Sequence, residues 1–202
     1  MIKAYLRKTL GNFTLDAKIE ESGIIAIIGK NGSGKTTFLK LISGILKPDF
    51  GYVVLDNLDI TNLPIEKKNV VYLSYETYIP HFDVDKHILW GARNRKVKVS
   101  NDELKEIKES LGINFKGKIK NLSLGMRIRV ILATSILAKP RLILADEIFS
   151  NLSDRKDIIN NLFKILNKYN IELIYTTQIL EDAKYSKKIY KMEEGKLYQF
   201  NI

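Results

Sequence analysis

Cysteine is absent from the 202 residues, which removes disulfide frameworks, thiolate metal sites and cysteine nucleophiles and fits a reducing compartment. Proline and glycine are scarce, at 4 and 12 residues, so collagenous and low-complexity classes are excluded. Long apolar runs are also missing. The most apolar stretches, Ile24 to Ile28 and Leu142 to Ala145, fall far short of the roughly 20 residues that cross a bilayer. The first ten residues carry three cations with no apolar stretch behind them, which removes the secretory-signal reading. What is present, 45% apolar and 28% charged residues, is ordinary for a folded protein. The length predicts one domain over residues 1–202.

Charge is unbalanced: 33 Lys and Arg against 23 Asp and Glu give a net +10. Residues 86–130 hold 12 of the cations and only 4 of the acids. Such a patch serves nucleic acid, anionic lipid or an acidic partner, or is simply the solvated face of a helical lobe. Few aromatics accompany these cations and no nucleic-acid motif is present, so a nucleic-acid partner is not expected. His81 and His87 lack the Cys or paired acids a metal site needs.

Ile2 to Lys8 and Phe13 to Ile19 alternate apolar and polar residues about Gly11-Asn12, which predicts a hairpin. Ile24 to Ile28 reads as a strand buried on both faces, and Lys35 to Ile45 as a helix with Phe38, Leu41, Ile42 and Ile45 on its apolar face. Tyr52 to Leu55 and Val70 to Leu73 read as strands, and Val84 to Ala138 as mainly helical, with a charged helix opening at Asn101-Asp102-Glu103. Leu142 to Ala145 and Ile171 to Thr176 follow as buried strands, separated by a helix over Asp157 to Tyr169. Ile189 to Met192 and Leu197 to Phe200 close the chain as a hairpin about Gly195. The expected fold is α/β, with an antiparallel N-terminal β-subdomain and a helical lobe over about residues 76–139 inserted in the core.

Gly29-Lys30-Asn31-Gly32-Ser33-Gly34-Lys35-Thr36 matches GxxxxGK[ST] and stands between a buried strand and a helix, so the core is expected to be of the P-loop NTPase type. Backbone N–H groups there would turn around a phosphate at a helix N-terminus, with Lys35 on the β- and γ-phosphates and the Thr36 hydroxyl on Mg²⁺. Thr37 adjoins the same phosphates. The strand Leu142 to Ala145 runs into Asp146 and Glu147. Consecutive residues at a strand end diverge, so Asp146 suits the metal shell and Glu147 the space from which water attacks the γ-phosphate.

In this order the motifs resemble the ATP-binding cassette (ABC) ATPases, the ATP-binding subunits of ABC transporters. Asn121-Leu122-Ser123-Leu124-Gly125-Met126 looks like the family's LSGGQ signature, and Arg127-Ile128-Arg129-Val130 like the RQRV after it. Leu46 to Gly51 and Asp59 to Lys68 are similar to importer-type subunits for oxyanions, sugars and polyamines, which often carry a further C-terminal regulatory domain that this chain is not expected to have. The resemblance implies a head-to-tail dimer, homomeric or with another ABC subunit, in which Ser123 and Gly125 contact the γ-phosphate of ATP held by the partner. It further implies Mg²⁺ on Asp146, Glu147 as general base, and a transmembrane permease that places the chain at the cytoplasmic face of the cell membrane. Adenine would stack on an aromatic near the first hairpin turn, for which Phe13 is the choice. Tyr78, Ile79, His81, Phe82 and Trp90 would furnish either the permease groove or the lobe's own core.

Several family positions differ. The Q-loop glutamine aligns with Tyr75, the switch histidine with Gln178, the D-loop aspartate with Ser153 and the proline after the catalytic Glu with Ile148. Leu124 and Met126 replace a glycine and a glutamine of the signature. Tyr75 cannot present an amide oxygen to Mg²⁺ or water, and Gln178 cannot become cationic. The nucleotide-binding set is complete and the sensing set altered. The expectation is therefore a slow transport ATPase; a hydrolysis-deficient regulatory half of an asymmetric heterodimer and a soluble non-transport ABC ATPase are the alternatives.

Overall fold

The computed structural model describes residues 1–200. Its first layer is an antiparallel sheet. β1 (Ile2–Leu10) and β2 (Phe13–Glu21) form the expected hairpin, and β1 also pairs with β4 (Phe50–Leu55), which carries the short β5 (Leu58–Asp59). The second layer is a sheet in the order β10-β9-β3-β8-β7-β6, built from β3 (Ile24–Ile28), β6 (Val70–Leu73), β7 (Leu142–Asp146), β8 (Glu172–Thr177), β9 (Lys188–Glu193) and β10 (Lys196–Gln199). All its pairings are parallel except that of β9 with β10. β7 and β8 are buried along their whole length, which is why they read as continuous apolar runs without alternation.

Two cores flank the parallel sheet. On one face, α1 (Lys35–Ser43) packs Phe38, Leu39 and Ile42 between that sheet and the antiparallel layer. On the other lie α2 (Val84–Asn94), α3 (Asn101–Ser110), α4 (Leu124–Leu137) and α5 (Arg155–Lys168) around Ile88, Ile107, Ile128 and Leu162. α3 opens at Asn101, as expected, with Ser100 as its N-cap. The Ser100 hydroxyl accepts from the Glu103 N–H (3.1 Å) while Glu103 Oε2 accepts from the Ser100 N–H (2.9 Å), a reciprocal cap. The expected reach of α1 to Ile45 is corrected: the helix stops at Ser43 because Gly44 adopts the left-handed conformation (φ +83°), leaving Ile45 exposed. A four-residue helix, α6 (Leu180–Ala183), follows β8.

Register decides what this scaffold presents. Ile28 lies beside Thr177, and Asp146 beside Thr176, so the C-terminal ends of β3, β7 and β8 bring Gly29, the Asp146-Glu147 pair and Gln178 to one rim. Ligands of open parallel sheets bind at that end. The β9–β10 turn braces the rim from the far side. Gly195 (φ +79°) donates its N–H to Ser33 O (2.9 Å) and accepts from the Asp16 N–H (2.9 Å), and a Cβ there would come within 2.2 Å of Thr14 O.

Candidate active site

The segment between β3 and α1 wraps a cavity of about 230 Å³ lined by Asn31, Gly32, Gly34, Lys35, Thr36, Thr37, Phe13 and Glu147. Gly32 and Gly34 hold φ of +78° and +110°, values that turn successive N–H groups inward and that side chains resist. A Cβ on Gly29 would sit 2.5 Å from Met192 O and 2.7 Å from Ser33 Oγ, so the loop closes only around glycine. The Ser33 hydroxyl is buried without a hydrogen-bond partner. An orphaned donor, a glycine cradle and the N-terminus of a nine-residue helix together fit a polyphosphate.

Lys35 is buried, 4% exposed, and folds back onto its own loop. Its ammonium donates to Gly29 O (2.8 Å) and Lys30 O (3.0 Å) and pairs with Glu147 Oε1 at 3.0 Å. The Gln178 amide donates to Glu147 Oε2 (3.0 Å) and to Asn31 Oδ1 (2.6 Å). Both Glu147 oxygens are thus engaged, one by a cation and one by a neutral donor. Glu147 itself has φ +52°, a conformation costly for a non-glycine residue and concentrated at functional sites. A second cavity of about 220 Å³, lined by Glu147, Ser150, Thr177, Gln178 and Ile179, adjoins it.

Asp146, 7% exposed, is gripped from both neighbouring strands. Thr176 on β8 donates to Oδ1 at 2.8 Å, and Tyr72 on β6 donates to Oδ2 at 2.8 Å. Thr176 Oγ1 in turn accepts the Glu147 N–H at 3.0 Å. Sequence reasoning passed over Tyr72 and Thr176. Their signal lay in strand alternation and register, since Tyr72 stands opposite Leu144 and shares its face with Asp146 two residues on. The carboxylate and the Thr36 hydroxyl are oxygen donors of the kind Mg²⁺ prefers; among the described residues no group of three or more His, Cys, Asp and Glu offers an alternative metal cluster.

Three predicted positions lie apart. Tyr75 is half exposed (50%) beyond the end of β6. Ser123 caps α4, accepting from the Met126 N–H (3.3 Å), and Gly125 packs toward Asn151 O. Neither lines the two cavities at the phosphate loop. A groove of about 860 Å³ runs between β6 and the lobe, with Tyr78, Ile79 and Trp90 in its wall. His81 and Phe82 do not join them: His81 is exposed, and Phe82 packs against the lobe's core and under Lys86, whose ammonium is 4.2 Å from the ring centroid. His87 is buried, its Nε2 accepting the Ile79 N–H (3.1 Å) and its Nδ1 meeting Thr134 Oγ1 (2.9 Å).

A phosphate loop at the C-terminal edge of a parallel sheet, facing a carboxylate pair, defines a P-loop nucleotide hydrolase. Comparison with known proteins narrows the class. Residues 13–150 match the family model described as ABC transporter. The chain is 32% identical to the molybdate/tungstate import ATP-binding protein WtpC of Archaeoglobus fulgidus, covering 98% of this chain and 85% of that one. It is 32% identical to the molybdenum import ATP-binding protein ModC of Rhizobium meliloti (97% and 58%) and 33% identical to the spermidine/putrescine import ATP-binding protein PotA of Shigella boydii (92% and 51%). The chain thus spans little more than half the length of the latter two. In fold it is similar to a dimeric ATP-binding cassette in a post-hydrolysis state bound to ADP and phosphate, with TM-score 0.82, 19% identity and full coverage of both chains. The chain belongs to the ABC transporter family, as an ATP-binding cassette ATPase. No helix among the described residues is long and apolar enough to cross a membrane.

Proposed function

We propose that residues 1–202 act as one cassette that binds Mg-ATP in the phosphate-loop cavity and hydrolyses it slowly, as half of a head-to-tail pair seated on a transmembrane permease at the cytoplasmic face of the membrane. The observation that carries this reading is the meeting of Lys35, Glu147, Gln178 and Asn31 at the cavity rim, with Asp146 fixed beside them. A triphosphate offers Lys35 a stronger acceptor than two carbonyls. Lys35 then leaves Glu147, freeing that carboxylate to take a proton from attacking water. Thr36 and Asp146 would hold Mg²⁺, which when bound neutralises charge developing on the phosphate oxygens. Phe13, whose ring comes within 2.9 Å of where a Gly34 Cβ would stand, would stack on adenine.

A pair is required because Ser123 and Gly125, the residues expected on the γ-phosphate, stand away from this chain's own cavity. The groove beside Tyr78, Ile79 and Trp90 suits an apolar element of the permease, and the import ATP-binding proteins among the relatives support import as the direction. Gln178 supports a second reading, a regulatory half in an asymmetric heterodimer, because a neutral amide gives the γ-phosphate a weaker hydrogen bond than a cation.

The deciding experiment is ATP turnover of the purified protein with Mg²⁺, beside Glu147→Gln on a sizing column. Slow hydrolysis, abolished in Glu147→Gln, together with an ATP-dependent dimer of the variant, is expected. Absence of turnover with retained ATP binding and no dimer supports the asymmetric reading instead, and turnover within the range of about 1 to 1000 per second overturns the slow assignment.

A further inference from the structure

Asp146 is the only carboxylate of the site gripped through both its oxygens by neutral hydroxyls, and the two come from opposite sides. Thr176 reaches it from β8, where it is directly opposite in register, while Tyr72 reaches it from β6, leaning along the strand from its place opposite Leu144. A phenol that merely filled space would not need its oxygen at 2.8 Å from Oδ2. A Phe or Met of similar bulk packs the same face against Val70 and the α1 core without presenting a donor into a buried carboxylate. Tyr72 also borders the groove on the other side of the strand's edge, whereas Tyr75, three residues on, is exposed, and its hydroxyl makes no hydrogen bond among the described residues.

We propose that Tyr72 is a positioning residue of the metal site, its hydroxyl orienting the Asp146 carboxylate for Mg²⁺. This rests on the Mg-ATP reading above. One lone pair of Oδ2 takes the phenol proton and others remain, so the hydrogen bond fixes carboxylate rotation without consuming all of its capacity as a ligand. Outer partners that orient a metal-binding carboxylate typically contribute on the order of 10- to 100-fold to metal affinity. They contribute nothing to the phosphate contacts of a metal-free nucleotide.

The test separates these two quantities in the intact protein. Mn²⁺ binding is titrated by electron paramagnetic resonance in the presence of a non-hydrolysable ATP analogue, and analogue binding is measured separately with all divalent metal chelated. Tyr72→Phe and Tyr72→Met are expected to raise half-saturating Mn²⁺ on the order of tenfold or more, with metal-free analogue affinity unchanged. Tyr190→Phe, which removes a phenol of β9 that donates to Glu21 of β2 (3.0 Å) and makes no hydrogen bond to Asp146, is expected to leave the titration where it was. A Tyr72→Phe titration that superimposes on the wild type, a loss shared equally by metal-free binding, or an equal shift in Tyr190→Phe overturns the proposal alone. Wild-type protein that binds no analogue overturns the Mg-ATP reading first.

Discussion

The rim of the parallel sheet and the surface of the helical lobe both carry motif residues but hold them differently. At the rim, Lys35, Asp146 and Thr176 are buried and each is tied to two or more partners. On the lobe side, Ser123 and Tyr75 are exposed and engage at most their own helix or turn. A group fixed by strand register is preorganised for charge that develops in place. A group left on an exposed cap is complete only when something else arrives. The phosphate loop is thus held within this chain, whereas Ser123, on the function proposed above, would be completed by another.

The largest effect that would break this contrast comes from Lys35→Ala set against Ser123→Ala. Removing Lys35 is expected to lower hydrolysis on the order of 10²- to 10³-fold and to weaken ATP binding by the isolated monomer. Ser123→Ala should cost hydrolysis in the assembled pair while leaving monomer binding unchanged, as read by equilibrium fluorescence of a labelled nucleotide. Equal weakening of monomer binding by both variants would mean that the signature serves its own chain's cavity.

A smaller change sharpens the rim itself. Gln178→His replaces a neutral donor 3.0 Å from Glu147 with one able to carry charge, and a charge-assisted hydrogen bond is about twice as strong as a neutral one. Turnover by the pair is expected to rise about tenfold, the equivalent of about 1.4 kcal/mol. A fall in turnover would show that the amide bridge from Asn31 to Glu147 is itself the working arrangement.

How far these contrasts could be read in advance differs by kind of residue. The phosphate loop and Asp146-Glu147 were legible because their chemistry demands fixed residue types at fixed spacing. β3, β7 and β8 were legible because burial on both faces writes itself as unbroken apolar runs. Tyr72 was not, since its partner lies 74 positions away and only the register of β6 against β7 brings them together. Ile45 misled for a local reason: helical spacing continued through Gly44, but left-handed backbone at that glycine ended the helix. Phe82 read equally as groove or core; it packs against the lobe's core, with Lys86 over its ring.

The smallest expected effect concerns pH and falls on the lobe alone. His87 is kept neutral by its surroundings: Nε2 accepts the Ile79 N–H, Nδ1 donates to Thr134 Oγ1, and Thr134 passes its own proton to Val130 O at 2.8 Å. Burial lowers its pKa from the ordinary value. The unfolded chain, titrating near 6.5, therefore takes up the proton first. The stabilisation is full above that pH and is lost as the pH falls from there through the folded value. Asp56, held at about 2 by Arg141 and the N-terminal ammonium, loses its contribution only below its ordinary value of 3.8, in stronger acid than that in which His87 begins to take up its proton. Between pH 7 and 5 the urea midpoint is expected to fall, and His87→Gln to flatten that part of the profile. Protonation would turn Nε2 from acceptor into donor against another donor, so the hydrogen-exchange protection of the Ile79 amide, measured relative to its intrinsic exchange rate at each pH, should fall over the same interval while that of the phosphate-loop amides stays unchanged. A uniform loss of protection across both regions would mean that lobe and rim open as one unit, which would remove the contrast between them.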